Sequence, residues 1–232
     1  MPTLFLNDHF VEEEEAMLPL TDRGFLFGDG VFTTLRIEEG KAVWLAEHLE
    51  KLNKHAQLLK IVPPKLDIEV VDTLIARNAL QEGRLKIIYT GGDGNALTLK
   101  PRKGRLIMMA APLLPTSDTL RVSICTLPSF LGKTLSYVHR LHAKRDDVDD
   151  CITLNERGEV LETLFGNLFW VIDDVYYTPD PKQLPIYWGV TIQKALENKK
   201  VRYVRTRFES IPKEAFFFRT NAVSGIKPLL FA

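Results

Sequence analysis

Cysteine is scarce in this chain, and neither sign of charge is in excess. Only two of the 232 residues are cysteines, Cys125 and Cys151, and 30 lysines and arginines balance 30 aspartates and glutamates. Two cysteines in apolar, strand-like segments exclude a disulfide framework and fit a reducing compartment. Because there is no basic excess, the composition gives no indication of nucleic-acid binding.

Long hydrophobic runs are also absent, although 45% of the residues are hydrophobic. No apolar stretch approaches the ~20 residues that a membrane-spanning helix needs. The stretch from Met1 to Asp8 lacks the basic start and apolar centre of a signal peptide. We therefore expect a cytoplasmic protein that does not bind membranes. No metal is expected either, because His48 and His55 have no acidic or cysteine partner at metal-ligand spacing.

Hydrophobic periodicity separates helical from extended segments. Apolar residues from Leu45 to Leu59 recur at helical spacing, and Asp67 is placed to cap a second helix. Further helices are predicted over 135–149 and 191–197, with a short helix start at 212–214 and a polar loop over 90–103. Short apolar runs predict strands over 3–6, 31–37, 85–89, 106–110, 120–127, 151–154, 160–161, 168–172, 175–178, 201–208 and 216–219.

Two prolines between Ala111 and Ser117 mark a linker. The mixture of helices and strands on both sides of it predicts an α/β (α+β) fold of two domains. We expect a small N-terminal α/β domain over residues 1–112, a linker over 113–117 and a larger C-terminal α/β domain over 118–232.

Three short stretches, far apart in sequence, carry groups that suit one cofactor. Lys133 precedes a predicted helix, and a buried lysine can lose its proton and form a Schiff base with an aldehyde. Glu162 follows a strand and can keep a ring nitrogen protonated, while Gly189-Val190-Thr191 opens a helix whose N–H groups can bind phosphate. Taken alone, each has an ordinary explanation: a solvated lysine, a strand-end glutamate and a helix start. Together they are the groups that pyridoxal phosphate needs.

Other stretches complete a pattern that resembles a known family. They are Asp22-Arg23-Gly24, Phe27-Gly28-Asp29-Gly30-Val31-Phe32, Glu47-His48-Leu49-Glu50-Lys51-Leu52, Asn167-Leu168-Phe169 and Thr220-Asn221-Ala222-Val223. The chain resembles the fold-type IV pyridoxal-phosphate enzymes: branched-chain aminotransferases, D-amino acid aminotransferases and 4-amino-4-deoxychorismate lyases. The likeness runs from about Leu4 to Leu230 and implies a two-domain D-amino acid aminotransferase-like fold with pyridoxal 5'-phosphate as the cofactor.

The resemblance also implies roles for the residues that match the family's pattern. Lys133, in the C-terminal domain, would hold the cofactor covalently and transfer protons, and Glu162 would face the pyridine nitrogen. Lys51 falls where the family has an arginine near the phosphate, so it keeps the charge but loses the bidentate fork. The other cofactor-binding candidates are Val190 and Thr191 at the phosphate and Asn221 and Ala222 in the pocket wall.

Two departures affect the substrate side. Gly91 falls where the family often has an arginine that can hold a substrate carboxylate. Arg36, His139 and Arg140 are the candidates that would compensate for it. The chain also stops soon after Lys227-Pro228-Leu229, which predicts a C-terminal domain truncated at its end.

Phe32-Thr33-Thr34-Leu35-Arg36 is most similar to the lyases. The resemblance thus implies a 4-amino-4-deoxychorismate lyase of the folate pathway, which eliminates pyruvate from a small-molecule substrate and leaves 4-aminobenzoate. Lys133 would remove the proton, and Thr33, Thr34 or a water molecule would protonate the leaving group. The alternatives are a class IV aminotransferase for branched-chain or D-amino acids and a non-catalytic homologue that binds the cofactor. The family further implies a homodimer, with an active site between the domains that borrows residues from the second subunit.

Overall fold

The computed structural model describes residues 1–95, 102–127 and 132–232. The chain divides into two compact units: Met1–Leu114 with Lys133–Tyr137, and Pro115–Gly132 with Val138–Ala232. Both combine helices with sheets, which confirms the predicted α/β (α+β) class. The sequence assigned Lys133 to the C-terminal domain. Here it belongs to the first unit, because Thr134 forms a β-bridge with Val31 and the Leu135 amide donates to the Gly30 carbonyl at 2.9 Å.

The six-stranded sheet of the first unit is antiparallel, and a separate two-stranded sheet is parallel. The strands found among residues 1–95 and 102–111 are β1 (Thr3–Leu6), β2 (His9–Glu12), β3 (Gly30–Glu38), β4 (Lys41–Ala42), β5 (Ile61–Val62), β6 (Gly83–Thr90), β7 (Arg102–Lys103) and β8 (Arg105–Ala111). Six of them form a sheet in the order β2-β1-β8-β6-β3-β4, and β5 pairs separately with β7. The predicted strands here are confirmed. The predicted loop over 90–103 lies partly outside the described residues, at 96–101.

Helices α1 (Arg23–Phe27), α2 (Leu45–Leu58) and α3 (Ile68–Arg77) accompany this sheet. Both predicted helices are confirmed, and the Asp67 side chain accepts a hydrogen bond from the Glu69 amide at 3.2 Å, as an N-cap does. The apolar residues of α2 and α3 pack with one face of the sheet in a single core. Helix α1 was not predicted from the sequence. Its N-cap is Asp22, whose side chain accepts a hydrogen bond from the Gly24 amide at 2.8 Å, and its C-cap is Gly28, whose φ of 64° is left-handed.

The second unit has a mixed sheet. Its strands, among residues 115–127 and 138–232, are β9 (Leu120–Thr126), β10 (Asp150–Leu154), β11 (Val160–Thr163), β12 (Asn167–Ile172), β13 (Val175–Pro179), β14 (Val201–Val204), β15 (Phe216–Asn221) and β16 (Gly225–Phe231). They run in the order β11-β10-β9-β16-β15-β12-β13-β14, with β9–β10, β9–β16 and β13–β14 parallel. Helices α4 (Val138–Ala143) and α5 (Val190–Leu196) belong to this unit, and α5 packs on Phe169 and Phe218.

Three local predictions were wrong, and one strand was missed. Of the helix expected over 135–149, only Val138–Ala143 (α4) is helical. It starts late because residues 134 and 135 are bonded to β3. The strand expected over 201–208 stops at Val204, and residues 212–214 form a turn in which the Ala215 amide bonds to the Pro212 carbonyl. Strand β16 was missed because Pro228 argues against a strand between two neighbours. In the described ranges, no helix is long and apolar enough to cross a membrane.

Candidate active site

Lys133 lies against the aromatic ring of Phe32. The Phe32 amide donates to the Lys133 carbonyl at 3.2 Å, which fixes the backbone of the lysine beside β3. The lysine Nζ then lies 4.9 Å from the centroid of the Phe32 ring, a distance at which a cation and a π-system attract. Tyr137 packs edge-on against the same ring at 5.6 Å. The side chain of Lys133 therefore lies beside the Phe32 ring.

The alternation of β3 separates the two candidate threonines. Val31 and Leu35 are completely buried in the core beneath α2, and Thr33, between them in the alternation, is 2% exposed. Phe32, Thr34 and Arg36 point to the opposite side of the sheet. We name that side the Phe32 face: it carries Phe32, Thr34 and Arg36 of β3 and, by register, Ile88, Lys86 and Arg84 of β6. Thr34 thus shares a face with the ring that Lys133 contacts, and Thr33 does not.

Thr33 instead bonds to a buried histidine. Its Oγ1 lies 2.7 Å from Nδ1 of His48, which is 4% exposed and occupies the core side of α2 with Leu52 and Ala56. Burial, with the charges of Lys133 and Lys51, lowers the His48 pKa to about 4, so the ring is neutral at pH 7. Its Nε2 has no hydrogen-bond partner within the described part of the chain. Helical spacing from Leu52 and Ala56 could have identified His48 as a buried residue.

Lys51, one turn further along α2, is half-buried. Burial lowers its pKa to about 8, although Glu50 opposes the shift. A lysine that has lost hydration in this way is stabilised when an anion binds beside it. Lys51 therefore suits the phosphate-binding role implied by the resemblance.

Lys86 was not singled out from the sequence. It lies opposite Thr34 in the β3–β6 register, and its Nζ is 4.7 Å from the centroid of the Phe32 ring. Burial lowers the Lys86 pKa, with a smaller contribution from Arg84. Arg36, which was predicted to bind substrate, pairs with Glu38 and Glu82, each at 2.9 Å. Finding Lys86 required the strand register, which the sequence does not specify.

The position of the missing family arginine is closed. A Cβ on Gly91 would come within 2.7 Å of Asp29 Oδ2. That same oxygen accepts hydrogen bonds from Arg23 Nε at 2.6 Å and Arg102 Nη2 at 2.9 Å, and all three side chains are largely buried. An arginine at position 91 would displace this buried ion cluster.

In the second unit, Glu162 is held at both carboxylate oxygens. Arg140 Nη2 donates to Oε1 at 2.5 Å, and the Tyr187 amide donates to Oε2 at 3.3 Å. The guanidinium of Arg140 also donates to the carbonyl of Leu164 at 2.8 Å. Glu162 is only 6% exposed, so Arg140 fixes its orientation and compensates its charge. Arg140, predicted as a substrate-binding residue, thus contacts Glu162. His139, beside it on α4, is half-buried, and burial lowers its pKa.

Asn167 connects Glu162 to the start of α5. Its amide nitrogen donates to the Tyr187 carbonyl, and its Oδ1 accepts from the Gly189 amide at 3.0 Å. A Cβ on Gly189 would lie 2.7 Å from that oxygen, which explains the glycine. Val190 and Thr191 follow as the first residues of α5. Asn167 appeared in the sequence pattern but was not recognised as a site residue.

Asn221 shapes a turn at the end of β15. Its Oδ1 accepts from the amides of Val223 and Ser224 at 3.1 and 2.8 Å, and its amide donates to the Phe165 carbonyl at 3.1 Å. Ala222 is half-buried in this turn. Thr220, register partner of Asn167, is 1% exposed, and its hydroxyl has no hydrogen-bond partner among the described residues. The cross-strand neighbour of this threonine, Asn167, is the residue that accepts the hydrogen bond from the Gly189 amide.

Each unit, taken by itself, carries groups that suit one part of pyridoxal phosphate. The first unit offers the Lys133 amine and the half-buried cation Lys51; the second offers the Glu162 carboxylate, the helix start at Val190 and the buried Thr220 hydroxyl. The aldehyde needs an amine, the phosphate needs donors with positive charge, and the pyridinium needs a carboxylate. Within the described ranges, no three His, Cys, Asp or Glu side chains are grouped as a metal site would need.

Known proteins share this architecture. The family model described as Amino-transferase class IV matches residues 30–230. The aminodeoxychorismate lyase of Bacillus subtilis is 29% identical over 97% of this chain and 85% of its own length. The D-alanine aminotransferase of Listeria monocytogenes is 33% identical over 82% of this chain and 72% of its own length.

A solved structure agrees with the fold. A hypothetical aminotransferase from Mycobacterium tuberculosis, in its PLP-bound form, matches with a TM-score of 0.84 and 21% identity over 98% of this chain and 89% of its own. The resemblance found in the sequence and the predicted D-amino acid aminotransferase-like fold are both confirmed. The chain therefore belongs to the amino-transferase class IV family, the fold-type IV pyridoxal-phosphate-dependent enzymes.

Proposed function

We propose that this enzyme is a 4-amino-4-deoxychorismate lyase. The observation that carries the proposal is the position of Thr34 on the Phe32 face, beside the ring that Lys133 Nζ contacts at 4.9 Å. An elimination uses a base that removes one proton and an acid that protonates the leaving group, and both have to lie within reach of the substrate. The likeness to the Bacillus subtilis lyase over 97% of the chain supports this assignment.

Each side chain proposed to bind the cofactor would contact one part of it. When bound, pyridoxal 5'-phosphate supplies an aldehyde for the substrate amine and a ring that accepts the electron pair left at the amine-bearing carbon. Lys133 would hold it covalently, and Lys51 would supply positive charge to the phosphate. Glu162, oriented by Arg140, would keep the ring nitrogen protonated. Val190, Thr191, Asn221 and Ala222 complete the assigned set.

Two side chains move the protons. Lys133 Nζ, as a neutral amine, takes the proton from the amine-bearing carbon, and Thr34 Oγ1 gives its proton to the ether oxygen of the enolpyruvyl group. The bond between the ring carbon and the ether oxygen breaks, the expelled enolpyruvate tautomerises to pyruvate, and the remaining ring becomes aromatic as 4-aminobenzoate. Lys133 then releases its proton and Thr34 regains one through solvent, so both side chains are restored. Thr33, whose hydroxyl is bonded to His48 in the core, orients that histidine and takes no part in the proton transfer.

Paired threonine variants test this assignment. The purified enzyme, supplied with aminodeoxychorismate, should form 4-aminobenzoate and pyruvate in equal amounts, and Lys133→Ala should form neither. Thr34→Val should lower kcat by about 10²- to 10⁴-fold, the usual contribution of general acid catalysis. Thr34→Ser should restore most of it, and Thr33→Val should change it by only a few-fold. A larger loss in Thr33→Val than in Thr34→Val would reverse the assignment, and a parent enzyme that forms no 4-aminobenzoate would refute the lyase.

The competing function is a class IV aminotransferase for branched-chain or D-amino acids. The 33% identity to the Listeria monocytogenes D-alanine aminotransferase favours it. Mixed with an amino acid alone, an aminotransferase loses the absorbance of its cofactor aldehyde within one turnover, whereas a dedicated lyase keeps it. The homodimer, the cytoplasmic location and the substrate-binding roles of Arg36, His139 and Arg140 stay predictions.

A further inference from the structure

The Phe32 face carries more positive charge than its acidic side chains compensate. Across β3 and β6, the register sets Arg36 opposite Arg84 and Thr34 opposite Lys86. Glu38 and Glu82 neutralise Arg36. Neither Lys86 nor Arg84 has an acidic partner within residues 1–95, 102–127 and 132–232.

Of these two cations, Lys86 is the one beside the reacting groups. Its Nζ is 4.7 Å from the centroid of the Phe32 ring, and the Nζ of Lys133 is 4.9 Å from the same centroid. Arg84 is two residues further along β6, opposite Arg36. Lys86 is also half-buried, so its ammonium has lost hydration without gaining a carboxylate.

The chemistry of the leaving group identifies what this ammonium can bind. In an enolpyruvyl ether, the carbon that carries the ether oxygen also carries a carboxylate. The carboxylate is therefore only two bonds from the ether oxygen, and a side chain that protonates this oxygen lies close to the carboxylate as well. Cross-strand partners place their Cβ atoms about 5 Å apart, so the residue opposite Thr34 is within reach of this carboxylate.

We propose that Lys86 binds the carboxylate of the enolpyruvyl leaving group, and so takes the substrate-recognition role for which the family arginine at position 91 is missing. The inference rests on the lyase function and on Thr34 as its proton donor. The ammonium forms a charge-assisted hydrogen bond with the carboxylate and compensates its charge as the carbon–oxygen bond breaks. A ligand without an enolpyruvyl or pyruvyl carboxylate makes no contact with Lys86.

Three ligands of the holoenzyme separate this carboxylate from the other carboxylate of the substrate. Pyruvate carries the leaving-group carboxylate, 4-aminobenzoate carries only the ring carboxylate, and chorismate carries both. In Lys86→Met, which keeps the apolar stem, dissociation constants for pyruvate and chorismate should rise by about 10- to 100-fold, the loss of one hydrogen bond between charged groups. The constant for 4-aminobenzoate should not change, and Lys86→Arg should recover part of the affinity for the other two.

Two comparison variants complete the experiment. Lys41→Met removes an exposed lysine of the same sheet, paired with Asp72 at 2.6 Å, and should leave all three constants unchanged. Arg84→Met should have a smaller effect than Lys86→Met. Unchanged pyruvate and chorismate binding in Lys86→Met overturns the inference, as does a loss confined to 4-aminobenzoate, which would assign Lys86 to the ring carboxylate. If the parent forms no 4-aminobenzoate from aminodeoxychorismate, the proposed function fails first, and this inference fails with it.

Discussion

Acid should destabilise this enzyme through His48 more than through any exposed histidine. His48 is buried beneath β3, bonded to Thr33 and close to the charges of Lys133 and Lys51, and its pKa is about 4 instead of 6.5. In the unfolded chain the same side chain has its ordinary pKa. Between pH 6.5 and pH 4, the unfolded chain therefore binds a proton that the folded protein excludes.

The sign and size of the effect follow from proton linkage. Because the unfolded state binds more protons, the free energy of unfolding falls as the pH falls below about 6.5, and the contribution stops growing below about pH 4. Each pH unit within this window costs about 1.4 kcal/mol. Allowing for partial protonation, His48 should remove about 2 kcal/mol of stability between pH 7.5 and pH 5.

Urea unfolding of the parent and of His48→Asn, both saturated with pyridoxal phosphate, measures this contribution. The asparagine amide lies where Nδ1 lies, so it can still bond to Thr33, but it does not titrate. Other acidic groups and His55 are present in both proteins, so their contributions cancel in the difference. The parent should lose about 2 kcal/mol more than the variant between pH 7.5 and pH 5. Equal losses would show that His48 has an ordinary pKa in the folded protein, and the account of its burial would be wrong.

Two further predictions concern the second unit. Arg140→Gln should lower the free energy of unfolding by about 3–5 kcal/mol, because Glu162 would be left buried without its cation. Urea unfolding measures this loss. A loss below about 1 kcal/mol would mean that the Arg140–Glu162 pair is solvated. Gly189→Ala should cost about 1–3 kcal/mol, since its Cβ would lie 2.7 Å from Asn167 Oδ1. The same substitution should cost less in an Asn167→Ala background, and an equal cost in both backgrounds would exclude this clash as the cause.

Local signals predicted most of the fold. The helical period of α2 and the aspartate cap of α3 both depend on neighbours in sequence, and both elements were found. Helix α1 was missed because its cap, Asp22, is fixed by the Thr90 hydroxyl at 2.7 Å, a residue far away in the chain. The helix after Lys133 was predicted too long because the residues before α4 are bonded to Gly30 and Val31.

Some candidate site residues could likewise be predicted from sequence, and others depend on tertiary structure. Residue chemistry singled out Lys133 and Glu162 as candidates, since an amine and a carboxylate are recognisable without coordinates, and the family resemblance added Lys51. The choice between Thr33 and Thr34 was available from the alternation of Val31, Leu35 and Ile37, which marks Thr33 as a core residue. Lys86 and the Arg140–Glu162 pair were not available, because each depends on which strand or helix lies beside another.

The sequence by itself determined the periods of the main helices and strands, the reactive groups and the family to which they belong. Tertiary structure decided which cations have acidic partners, how far the pKa of His48 is lowered and which aromatic ring the lysine contacts. The physical reason is that periodicity and side-chain chemistry are properties of neighbouring residues. Burial, register and ion pairing are properties of residues brought together from distant parts of the chain, and these set the charge and orientation of each group in the site.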